Sequence, residues 1–146
     1  MLFVYFRHLL NSLFILTMII PSLDIATADS KGRGVFTSKR IPAGTVIEVS
    51  PVLVLTAKER KQIEGTKLYH YIFEWGETRR KACVAFGYVS MYNHDYTANC
   101  EYEMDFEEQI VTVRTVRDIK KGEELTINYN ASPNDKTKVW FDTSED

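Results

Sequence analysis

The sequence predicts a mainly β fold of several small sheets with few, short helices. Three observations carry this. Apolar segments of strand length, alternating or continuous, recur across residues 19–130, and segments this short do not fill a helical face. Turn residues rich in Gly, Pro, Asp and Asn punctuate them. A helix start signal stands at Thr56, with Glu59 three residues on, the spacing of a capping box.

The elements follow in order. Leu23-Asp24-Ile25-Ala26-Thr27-Ala28 has the period of two that marks a half-buried strand. Val35-Phe36 and Val46-Ile47-Glu48-Val49 are strand candidates, separated by the turn Ile41-Pro42-Ala43-Gly44. Val52-Leu53-Val54-Leu55 reads as a buried apolar run, and the helix opened by Thr56 should end near Gly65. Residues 68–75, apolar and aromatic, and residues 82–86 read as strands. Residues 101–106 and 110–116 alternate on either side of Glu107-Glu108-Gln109, which predicts a hairpin. Asp118-Ile119-Lys120-Lys121-Gly122 is a turn, and Leu125-Thr126-Ile127-Asn128-Tyr129 is the last strand. Beyond Ala131 the tail is polar up to Val139-Trp140-Phe141.

Composition narrows the function. A chain of 146 residues fits one domain with a real core. A net charge of −2 offers no basic field for phosphates, so direct nucleic-acid binding is not expected. Cys83 and Cys100 form no close pair with each other or with His8, His70 or His94, so no metal site is expected. The two cysteines read as free, half-buried thiols, and a disulfide between them stays open.

The N-terminal segment has three readings. Residues 1–18 are apolar but interrupted by Arg7, His8, Asn11 and Ser12, which makes a poor membrane span against the need for about 20 apolar residues. Ala26-Thr27-Ala28 resembles a signal-peptidase site, although cutting there would remove the first predicted strand. The third reading is an upstream start codon, with the working protein beginning at Met18. Membrane association is expected only if residues 1–18 are kept as an anchor.

Three polar islands ask for more than secondary structure. Gly32-Arg33-Gly34 reads either as a tight turn or as backbone that a ligand approaches closely. Residues 90–100, with Asn93-His94-Asp95-Tyr96-Thr97-Ala98-Asn99 at their centre, crowd hydrogen-bonding side chains into a stretch without alternation. Glu123-Glu124-Leu125-Thr126-Ile127-Asn128-Tyr129 is a turn and a strand ending in tyrosine.

In this order and spacing the three islands resemble the SET domain family of protein-lysine methyltransferases. That family shows a GxG, then Asn-His-Ser-x-x-Pro-Asn, then Glu-Glu-Leu-Thr-x-x-Tyr. Gly34-Val35-Phe36, Ile41-Pro42-Ala43-Gly44-Thr45 and Ile119-Lys120-Lys121-Gly122 agree as well. The resemblance covers residues 19–130 and is to the compact form without flanking zinc-binding modules. Residues 131–146 would then be a tail that covers the cofactor or the substrate. Asp95 and Ala98 depart from the family's serine and proline.

The resemblance implies a fold, a cofactor and a reaction. The fold would be the SET β-clip, with a C-terminal pseudoknot that brings Asn93-His94 beside Tyr129. The cofactor would be S-adenosylmethionine. Lys31, Gly32, Arg33, Gly34 and Asn93 would hold its methionine part, His94 would meet the adenine through its main chain, and Trp140 would stack on it. Tyr129 would be the central catalytic residue and Tyr102 a channel tyrosine, with Tyr88 and Tyr92 better read as core aromatics. The substrate would be a lysine-containing, basic protein, to which the acidic residues 101–108 could add attraction. The cytoplasm or the nucleus is the expected compartment, with secretion or anchoring tied to the apolar N-terminus. The alternative is a non-catalytic SET-like module that binds a protein partner.

Overall fold

The computed structural model describes residues 17–29, 31–132 and 134–139. The readings made for residues 1–16 and for Trp140-Phe141 lie outside the described residues.

The described residues form ten strands in two sheets, as the mainly β expectation required. The four-stranded sheet runs β2 (Leu23–Ala28), β3 (Gly32–Thr37), β10 (Glu124–Ile127), β7 (Asn93–His94). The larger sheet runs β5 (Ile72–Trp75), β6 (Lys81–Ala85), β4 (Val46–Leu55), β9 (Ile110–Thr115), β8 (Cys100–Asp105), and β1 (Met18–Ile19) also pairs with β4. The predicted hairpin is β8 and β9, and its turn is tied by Asp105 Oδ1, which accepts from the amides of Glu107 (3.0 Å) and Glu108 (2.9 Å). Helix α1 (Ala57–Ile63) carries the expected box: Thr56 Oγ1 accepts from the Glu59 amide, and Glu59 accepts from the Thr56 amide.

Three expectations need correction. The segments at 46–49 and 52–55 are one ten-residue strand, β4. Pro51 sits where β4 changes partner, from β1 at residues 48–49 to β6 at residues 52–55. Proline lacks the amide hydrogen a regular ladder needs, so its position at the switch is tolerated. The run 52–55 is not wholly buried either. Val52 faces the core and Leu53 is 53% exposed, because neighbours on a strand point to opposite faces. Residues 68–75 are not one strand: a 3₁₀ turn spans Lys67–Tyr71 and only β5 follows it. Leu68, Tyr69 and Tyr71 are exposed there, so apolar composition alone misled.

The core lies between the sheets and centres on Val35, Ile47, Val111, Val113, Ile119, Leu125 and Ile127. Cys83 and Cys100 are fully buried rather than half-buried, and both are free. Burial pushes each thiol up to about 12, so neither is a nucleophile at neutral pH.

The first strands belong to this core. β2 pairs with β3 over six residues, and Leu23 and Ala28 are buried. Cleavage after Ala28 would therefore take out β1 and β2 together. A chain beginning at Asp29 is expected to lose cooperative thermal unfolding, read by circular dichroism. A sharp transition in that truncated chain would show that β2 is dispensable.

Candidate active site

The site exists because of where β10 lies. It runs antiparallel to β3 (Glu124↔Phe36, Leu125↔Val35) and parallel to β7 (Thr126↔Asn93, Ile127↔His94). Asn99 adds a third tie: its Oδ1 accepts from the Thr126 amide at 2.9 Å, and its Nδ2 donates to the Glu124 carbonyl at 2.7 Å. The last strand is thus threaded against the 93–99 segment, and Asn93-His94 comes to lie beside Tyr129.

Tyr129 is held at both ends. Its amide donates to His94 Nδ1 at 3.1 Å, and its hydroxyl donates to the Tyr92 carbonyl at 2.9 Å. The His94 and Tyr129 rings stand 5.2 Å apart. Burial, and then the neighbouring Tyr71, raise the phenol above the ordinary tyrosine range. The group is therefore a neutral donor at physiological pH.

Gly32-Arg33-Gly34 is not the turn. It opens β3, and Gly32 alone carries the left-handed backbone, at φ +79°, that ends the turn before it. Gly34 serves close approach: a Cβ there would lie 2.8 Å from Asn93 Nδ2 and 2.4 Å from Glu124 Oε1. The Asn93 amide uses that space to donate to Glu124 Oε1 at 2.7 Å and to the Arg33 carbonyl at 3.2 Å. Lys31 Nζ reaches the His94 carbonyl at 3.0 Å, which ties the GxG segment to β7.

These residues border an open cleft of about 330 Å³. Lys31, Gly32, Arg33, Asn93 and Tyr129 line it, together with Tyr92, Met91, Ser90, Tyr71 and His70. Three other sequence candidates stand behind it. Gly34 backs Asn93. His94 is buried behind Tyr129. Tyr102 reaches the Tyr129 carbonyl with its hydroxyl at 3.5 Å and packs its ring edge-on to Phe73. Burial raises the Tyr102 phenol to about 12. Trp140 is outside the described residues, but the tail before it folds back. The Val139 amide donates to the Tyr96 hydroxyl at 3.0 Å, and the Tyr96 ring meets the His94 ring at 4.4 Å. His70 and Tyr71 were missed as site residues, because their segment read as a strand whose aromatic residues served packing.

A model of the SET domain matches residues 32–130. The chain belongs to the SET domain family of protein-lysine methyltransferases. This SET domain chain is 37% identical over 121 residues to "Histone-lysine N-methyltransferase, H3 lysine-37 specific" of Schizosaccharomyces pombe, over 82% of this chain and 77% of that protein. It is 30% identical over 117 residues to "Histone-lysine N-methyltransferase, H3 lysine-36 specific" of Cryptococcus neoformans var. neoformans serotype D, over 75% of this chain and 14% of that much longer protein. A solved structure of a candidate histone methyltransferase from Plasmodium falciparum shares the fold. Its TM-score is 0.63 at 24% identity, over 78% of this chain and 97% of that one.

Asn99 deserves a direct test in this SET domain. Asn99→Ala would leave the Thr126 amide and the Glu124 carbonyl without their partner in a buried setting. An orphaned buried group costs about 1–3 kcal/mol, so a loss of roughly 2–6 kcal/mol is expected for the two. Urea unfolding measures it, and a loss under 1 kcal/mol, well below that range, would show that Asn99 does not hold β10.

Proposed function

We propose that this SET domain transfers the methyl group of S-adenosylmethionine to the side-chain amine of lysine in a basic protein of the histone kind. The observation that carries the reading is the Tyr129 hydroxyl, fixed on the Tyr92 carbonyl at the wall of a cleft that Asn93 and Gly32-Arg33 also line.

The residues fit such a cofactor. A cleft of about 330 Å³ lies within the range of small-molecule sites. Gly32 has nothing within 4 Å of the place a Cβ would take, so a ligand can approach the main chain there. Lys31, Arg33 and the Asn93 amide offer charge and hydrogen bonds to an amino-acid end. The Lys31–Gly34 main chain and Asn93 would hold that end, and the main chain of His94 would meet the adenine. Residues 131–146, Trp140 among them, would form a cover, and the tie from Val139 to Tyr96 supports that part. When bound, S-adenosylmethionine supplies a methyl group on a sulfonium sulfur.

The rest of the chemistry falls to the chain. A lysine amine must lose its proton to act as a nucleophile, which at pH 7 costs roughly 4–5 kcal/mol from a free pKa near 10.4. Tyr71 and Tyr129 give the cleft aromatic walls that disfavour the ammonium. With its proton directed at the Tyr92 carbonyl, the Tyr129 hydroxyl would turn its oxygen toward the amine and help orient it. Tyr102, placed behind the Tyr129 main chain, would shape the channel rather than meet the reacting atoms. A protein-bound lysine in histone-like substrates points to nuclear work, with the cytoplasm as the other setting.

Tyr129→Phe keeps the ring and removes the oxygen. Turnover on mixed basic proteins is expected to fall by about 10²-fold or more, with cofactor affinity by calorimetry little changed. Wild-type turnover in that variant would remove Tyr129 from the centre of the reaction. Asn93→Ala should instead weaken cofactor binding by more than about tenfold, through a lost buried partner. Unchanged affinity would count against the assigned cofactor cradle. Tyr102→Phe is expected to alter the spread of mono-, di- and trimethylated products, read by mass spectrometry.

A further inference from the structure

A buried carboxylate stands beneath the candidate site. Glu48, on β4, is fully buried, and among the described residues no cation pairs with it. It is satisfied by neutral donors instead. The Ser50 hydroxyl donates to Oε1 at 2.7 Å, the Tyr88 amide to the same oxygen at 2.7 Å, and the Tyr92 hydroxyl to Oε2 at 3.0 Å. The Val89 amide adds a further bond. Burying a charge among dipoles with no counter-ion is costly, and an apolar side chain would fill the same space more cheaply. Placement in the core does not by itself account for it.

What Glu48 holds gives a reason. Apart from Ser50, its donors (Tyr88, Val89 and Tyr92) come from the irregular segment 87–92, which includes the 3₁₀ turn Val89–Met91. Gly87 is built around the carboxylate: its φ is +71°, and a Cβ there would lie 2.3 Å from both Glu48 Oε1 and Ser50 Oγ. The segment ends at Tyr92, whose ring hydroxyl is tied to Glu48 and whose carbonyl accepts the Tyr129 hydroxyl. Asn93 follows directly. Tyr92 thus links the buried carboxylate to the phenol in the cleft.

We infer that Glu48 is a positioning residue: through the Tyr92 side chain it fixes the Tyr92 carbonyl, and with it the direction of the Tyr129 hydroxyl. The inference rests on the proposed role of Tyr129. Ser50, Tyr88 and Val89 are the fixed posts that keep Glu48 in place.

The test uses the full chain and two variants. Tyr92→Phe removes the single hydroxyl that joins the two halves of the relay and keeps the ring volume. Glu48→Gln keeps the shape of the side chain but replaces one acceptor with a donor. Tyrosine labelled at the ζ carbon gives a nuclear magnetic resonance signal for the Tyr129 phenol, identified by its loss in Tyr129→Phe. In Tyr92→Phe the Tyr129 signal should shift. On mixed histones kcat should fall by about tenfold or more, the scale on which small misplacements act. KM for the protein and the affinity for S-adenosylmethionine should stay within about twofold, a minor part of the tenfold that 1.4 kcal/mol represents. Glu48→Gln should move the same signal and the same constant. If it does not fold, Tyr92→Phe decides alone. An unmoved Tyr129 signal in a folded Tyr92→Phe protein would overturn the inference, as would full kcat beside a lowered melting temperature. If the wild type methylates nothing, the proposed reaction fails, while the resonance still decides whether Glu48 directs Tyr129.

Discussion

The structure depends on a strand that has too little backbone to hold it. β10 is four residues long, and one of its partners, β7, is two residues long. A parallel pair of that size supplies few ladder bonds and weak ones. Asn99 makes up the deficit by acting as a piece of backbone. Its side-chain amide presents one acceptor and one donor in the geometry a neighbouring strand would offer, and takes the Thr126 amide and the Glu124 carbonyl. Without that mimicry the C-terminal strand would leave two buried polar groups unpaired. Tyr129 would then have no fixed place next to Asn93 and His94.

From this constraint the site follows with little freedom. Once β10 lies between β3 and β7, Gly34 and Glu124 face Asn93 from two sides, and only glycine leaves room for both. Tyr129, two residues past the end of β10, has one short path. His94 Nδ1 fixes its amide and the Tyr92 carbonyl fixes its hydroxyl. The phenol is protonated at neutral pH as an ordinary tyrosine is, burial raising its pKa further, and a protonated phenol is what the carbonyl requires as a donor.

The legibility of the sequence divides along the same line. Strands with a clean period of two, such as β8 and β9, were readable because one face is wet and the other is core. The capping box at Thr56 was readable because both partners lie within one turn. The 3₁₀ turn Lys67–Tyr71 was not, since its aromatic residues are exposed and give no buried face to detect. The ordered motifs supplied Gly32, Asn93 and Tyr129 as candidates, and five of the nine sequence candidates line the cleft. No local pattern could reveal that Lys31 reaches the His94 carbonyl 63 residues away, or that Glu48 reaches Tyr92 across 44. Such contacts are properties of the threading and not of any window along the chain.

The two departures from the family pattern fit this division. Asp95 stands where the family has serine, and its Oδ1 accepts from the Thr97 amide at 2.8 Å and the Thr97 hydroxyl at 2.9 Å. Partial burial works against that charge, but the bonds to Thr97 outweigh it and hold the carboxyl below its ordinary range. The loop thus makes its own Asx-type turn. Ala98 stands where the family has proline. It is buried, and it precedes Asn99, whose side chain already fixes the backbone there. A proline restricts a chain in advance, whereas a fully bonded neighbour restricts it after folding. The segment 87–99 is anchored by Glu48 at its start and by Asn99 at its end. Between the two anchors, positions 95 and 98 can change type because the polar groups of the loop there stay satisfied.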